Sequence, residues 1–71
     1  MNLSEIGKFI RDERIRQGLT TQELADNAGT TRRAIVYWES GARIPTLVCT
    51  DKVLKALGIQ LVLGVEEVVN K

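Results

Sequence analysis

Gly18, Gly29, Gly41 and Gly58 divide this chain into short lengths, and that division restricts its fold more than any other feature. Glycine takes the left-handed backbone conformation that ends a helix without a Cβ clash. The stretches between these glycines carry apolar residues at helical spacing. The pattern therefore calls for a bundle of short helices. The first, about Leu3 to Gln17, repeats Leu3, Ile6, Ile10 and Arg14 on one stripe, widened by Phe9. Asn2 is placed to cap it, with Glu5 three residues on. Thr20-Thr21-Gln22-Glu23 reads as a capping box that opens a second helix, Thr21 to Ala28, with Leu24, Ala25 and Ala28 inward. The alanines keep that face small, so another helix packs closely. A third helix runs from a cap at Thr31 to Ser40. Arg43-Ile44-Pro45 is a loop, because the residue before proline avoids helical angles. The fourth covers about Thr46 to Leu57, with Leu47, Thr50, Leu54 and Leu57 on one side and Val53 beside them. Thr50-Asp51 interrupts that pattern, so this helix is expected to start late or kink there.

Seventy-one residues make one domain with a modest core. One cysteine excludes an internal disulfide and a cysteine-based zinc cluster, and the chain has no histidine. The scattered carboxylates offer no nucleophile–base pair and no metal cage, so neither an enzyme nor a cofactor is expected. Cys49 fits a reducing cytosol and reads as a small buried hydrophobe. No signal peptide or membrane span is visible. The longest apolar stretch near the C-terminus, Ile59 to Val65, is interrupted by Gln60 and Gly64 and is too short to cross a bilayer. A cytoplasmic protein is expected.

After Gly58 the period changes. Ile59-Gln60-Leu61-Val62-Leu63 alternates with period two and reads as a strand. No second strand is evident, so the expected partner is the same strand of another copy, paired about a two-fold axis. A packed extended tail is the other reading. The chain divides accordingly into a helical domain, residues 1–58, and a strand and tail, residues 59–71, that serve dimerisation.

The third helix has two faces. Thr31, Ala34, Ile35 and Trp38 share the inner one, and Arg32, Arg33, Val36 and Tyr37 share the outer one. Arginines at a helix N-terminus oppose the helix dipole. They make sense there if they meet phosphate or base edges. Arginine pairs bidentately with guanine, at about 1–3 kcal/mol of discrimination per good contact. A formal net charge of only +1 counts against nucleic-acid binding unless the basic residues are gathered on one surface. Arg14 continues the apolar stripe of the first helix and Glu39 neighbours the inner Trp38. A salt bridge between them would join the two helices and remove Glu39 from the local charge, leaving Arg32, Arg33 and Arg43 as a basic surface.

The run Ile6-Gly7-x-x-Ile10-Arg11-x-x-Arg14, Gly18-Leu19-Thr20, Leu24-Ala25, Ala28-Gly29, Ile35-x-x-Trp38-Glu39-x-Gly41 and Pro45 resembles the Cro/phage-repressor helix-turn-helix family. The resemblance spans roughly residues 3–58. It implies a mainly α, lambda-repressor-like domain of four to five helices that binds an inverted repeat in double-stranded DNA as a homodimer. It places base reading on Arg32, Arg33 and Tyr37, with Val36 against a thymine methyl. Phosphate contacts fall to Thr20, Thr21 and Arg43, with Gln22 and Thr31 as further candidates. The Arg14–Glu39 pair matches a buried bridge of the family. The chain departs from the family at Thr21, where glutamine is common, and at Thr30. The strand after Gly58 resembles antitoxins of the HipB kind, which implies autoregulation and a kinase-fold, HipA-like toxin as partner. A free-standing phage or mobile-element repressor, a restriction-system controller, and a protein-interaction module without DNA binding are the alternatives.

Overall fold

The computed structural model describes residues 5–61. Four helices form there in the order α1 (Ile6–Arg16), α2 (Thr21–Ala28), α3 (Arg32–Ser40) and α4 (Leu47–Ala56). Glu5 stands at the N-cap of α1 without a side-chain cap bond, and Gln17 closes the helix. The expected Asn2 cap and Leu3 lie outside the described residues.

The caps of the later helices are local and follow from side-chain chemistry. At α2 the Thr20 hydroxyl accepts from the Glu23 amide at 3.0 Å, and the Glu23 carboxylate accepts from the Thr20 amide at 2.8 Å. Thr31 and Thr46 do the same work with a single bond each, accepting from the Ala34 and Cys49 amides. Gly29 and Gly41 follow α2 and α3 at φ 71° and 81°, where a Cβ would be strained.

Ile6 and Ile10 of α1, Leu24, Ala25 and Ala28 of α2, Ile35 and Trp38 of α3, and Val53 and Leu54 of α4 make the buried core, with Leu57 after α4. The third helix packs on α1 and α2, while α4 packs on α2. Gln17 then ties the far ends together: its amide nitrogen donates to the Leu57 carbonyl at 2.7 Å.

The described helices differ from the sequence expectation at several places, and Cys49, expected buried, is only partly so. Thr31 is exposed and does not join the inner face of α3, because as N-cap it has extended rather than helical backbone (φ −102°, ψ 154°). The fourth helix runs unbroken through Thr50-Asp51. Thr50 is buried, and its hydroxyl donates to the Thr46 carbonyl one turn back at 2.8 Å, so the polar group costs little inside. Leu47, placed inward by spacing, is instead 51% exposed, since the first turn of α4 projects past the core.

Ile59 and Leu61 pack partly buried against the helical core, and Gln60 between them is exposed. The period of two is thus real. The segment forms no strand among the described residues, and Val62 and Leu63 lie outside them.

Candidate nucleic-acid interface

The site is built on the connection between α1, α2 and α3. Arg14 holds it. Its Nε donates to Glu39 Oε2 at 2.7 Å and its Nη2 to Oε1 at 3.0 Å, a bidentate pair. Its Nη1 donates to the Leu19 carbonyl at 2.8 Å in the turn before α2. One guanidinium therefore ties α1 to the α1–α2 turn and to α3. The two side chains are only 14% and 7% exposed, so the pair is well shielded from solvent. Hydrogen bonding to Glu39 raises the Arg14 pKa above its ordinary value, against the smaller opposing effect of burial.

Gly7 makes the second link. A Cβ added there would lie 1.8 Å from the Trp38 carbonyl oxygen. The two helix backbones touch at this point, and only glycine permits it. Together the Gly7 approach and the Arg14 bridge fix the rotation of α3, and with it the direction in which its outer face points.

That face carries Arg32 and Arg33, both exposed, Val36 at 38% exposure, and a half-buried Tyr37. Several other charges follow the helix dipole: Glu23 lies in the first turn of α2, and basic residues lie in the last turns of α1 and α4. In α3 the first turn instead holds two arginines and no acidic residue. Arg43, on the loop after Gly41, is exposed beside it and lies 5.5 Å from the Tyr37 ring centroid.

Three exposed cations elsewhere are paired, while Lys52 of α4 is not paired among the described residues. Lys8 pairs with Asp12, Arg16 with Glu13, and Lys55 with Asp51. Among the described residues Arg32, Arg33 and Arg43 have no carboxylate partner, and Glu39 is turned inward to Arg14. A chain of net charge +1 thereby presents a basic surface at one place. Arg11 adds to it. It is exposed and lines a shallow depression with Val36, Glu39 and Ser40. Sequence reasoning assigned Arg11 no role, although its i,i+3 spacing to Arg14 would have placed it toward α3 once Arg14 was.

The candidate phosphate residues lie at the start of α2 and around α3. Thr20 is occupied as the cap, and its Glu23 partner leaves the amides of Thr21 and Gln22 at the helix end. The Gln22 side chain donates to Asp26 at 2.8 Å, so it must leave that bond to reach a phosphate. Thr31 is exposed at the N-terminus of α3. The described residues hold no group of His, Cys, Asp and Glu able to bind a metal.

A capped helix, a tight turn at Gly29 and a second helix with an outward basic face define a helix-turn-helix DNA-binding domain. The helix-turn-helix family model matches residues 10–63, and the chain belongs to that family. A helix-turn-helix transcriptional regulator of Methanothermobacter thermautotrophicus is 41% identical over 50 residues, 70% of this chain and 72% of that protein. Human endothelial differentiation-related factor 1 is 35% identical over 57 residues, which cover 80% of this chain but 38% of the human protein. Among solved structures, the restriction-modification controller protein C.AhdI from Aeromonas hydrophila superposes with a TM-score of 0.77 at 33% identity, over 82% of this chain and 88% of that one. A point mutant of the restriction-modification controller protein C.Esp1396I also gives 0.77, at 28% identity, over 82% and 75%. The chain is thus a DNA-binding transcriptional regulator and not an enzyme. No helix of the described residues is long and apolar enough to cross a membrane.

Proposed function

We propose that the chain is a free-standing, dimeric regulator of transcription, of the kind represented by restriction-modification controllers. The unpaired arginine face of α3, held in place by Arg14 and Gly7, carries this reading. The N-terminal part of α3 enters the major groove. Arg32 and Arg33 pair with guanine edges, Val36 meets a thymine methyl, and Arg43 and the start of α2 take phosphates. Similarity to the two controllers over most of the chain favours this over the antitoxin reading. The period-two segment, moreover, already packs its Ile59 and Leu61 on the chain's own core.

A dimer is supported by apolar surface near the same end. Leu47 and Val48 are 51% and 66% exposed and share a shallow depression with Leu61 and Asp51. The segment Ile59 to Leu63, of which the last two residues lie outside the described ones, remains the candidate for strand pairing between copies. Two half-sites would then lie about 34 Å apart on one side of the duplex. Selection from random duplexes tests the reading: the wild-type chain should enrich an inverted repeat with that spacing. Enrichment of single, unrepeated sites by a chain that sediments as a monomer would contradict it.

A further inference from the structure

The outer face of α3 has a centre, and it is an aromatic ring. The Cζ atoms of Arg33 and Arg43 lie 5.9 Å and 5.5 Å from the Tyr37 ring centroid. Both are within the roughly 6 Å reach of a cation–π attraction. Arg33 precedes Tyr37 by one helical turn and shares its face. Arg43 comes from the loop beyond Gly41, and that loop is folded back onto the same residue. The Arg43 amide donates to the Tyr37 carbonyl at 3.3 Å, and the Ser40 hydroxyl donates to that carbonyl at 3.1 Å. Left alone, two exposed guanidinium groups with no carboxylate partner among the described residues would repel each other and sample many rotamers. Tyr37 is half-buried, so its ring is a fixed post rather than another loose side chain.

We propose that Tyr37 is a positioning residue: its ring gathers Arg33 and Arg43, so that the base-reading helix and the phosphate-binding loop present their charges together. The inference rests on the DNA reading above and changes the role of Tyr37 within it. The ring carries the function through the arginines, and the hydroxyl need not touch a base. Ordering the two side chains before binding reduces the entropy lost on the duplex.

The test separates ring from hydroxyl and the clamp from DNA binding. In the free protein, nuclear magnetic resonance should show the side-chain Hε signals of Arg33 and Arg43 shifted by the ring in wild type and Tyr37→Phe, and unshifted in Tyr37→Leu. In gel shift on the selected operator, Tyr37→Phe should bind within about twofold of wild type, while Tyr37→Leu loses about 5- to 30-fold, at most the sum of two exposed cation–π contacts. When Arg33→Ala and Arg43→Ala are already present, Tyr37→Leu should add almost nothing. Melting curves check that each variant is folded. Absent ring shifts in wild type, Tyr37→Phe as weak as Tyr37→Leu, or a fully additive loss would each overturn the proposal. Ring shifts in a wild-type chain that selects no duplex would overturn the DNA reading beneath it, and the positioning role with it.

Discussion

At Gly7 the close approach of α1 to α3 depends on one missing methyl group. A Cβ there would sit 1.8 Å from a backbone oxygen of the neighbouring helix, which has no side chain to swing away. Alanine is favoured over glycine in a helix by about 1 kcal/mol, but overpacking a tight contact costs about 1–3 kcal/mol or more, so the clash wins. Gly7→Ala should lower the melting temperature by roughly 4–8 °C per kcal/mol lost, read by circular dichroism. Glu39→Gln should also destabilise, by about 2 kcal/mol, because it leaves a shielded guanidinium with a weaker partner. An unchanged melting temperature would mean the Arg14–Glu39 pair contributes only orientation. The pair does not make stability sensitive to neutral pH through Arg14. A raised arginine pKa gives a contribution fully present below the unfolded value and lost only as pH rises through the folded one, in strong alkali. The two linking residues differed in legibility. Arg14 interrupts an apolar stripe with a charge, which asks for a partner. Gly7 sits inside a helix with no local sign of why, since the reason is a tertiary approach to Trp38.

At the scale of elements, the local signals were the readable ones. The capping box of α2 and the threonine cap of α3 depend on residues three apart, and both bonds form as those residues suggest. Thr20→Ala should cost about 1 kcal/mol of stability by denaturant unfolding, with loss concentrated in α2 protection from hydrogen exchange. Thr50 misled for the opposite reason. A threonine in an apolar pattern looked like a break, but its hydroxyl reaches the Thr46 carbonyl and hides its own polarity. Leu47 misled because spacing describes which residues share a face, not where the core beneath that face ends. The segment from Ile59 shows the same limit. Its alternation of inward and outward residues is local and was legible. What it pairs with depends on a second surface that no stretch of sequence displays.

For the whole molecule, the decisive quantity is where the charge lies rather than how much there is. Ion pairs within α1, within α4 and between α1 and α3 absorb Lys8, Arg14, Arg16 and Lys55, and of the other described cations all but Lys52 of α4 gather on and around α3. This gathering was only partly visible beforehand, because Arg11 comes to the face from another helix. Dimerisation belongs to this scale too. Leu61→Pro removes a backbone donor from the candidate pairing edge, and at low micromolar concentration it should sediment as a monomer. A persistent dimer would move the interface to Leu47 and Val48. The central claim, that the outer face of α3 reads DNA, is tested most directly by gel shift of Arg32→Ala/Arg33→Ala on the operator selected by the wild-type chain. The account predicts an unchanged melting temperature together with loss of the preference for that operator over unrelated duplex. A folded double variant that still prefers the operator as wild type does would contradict it.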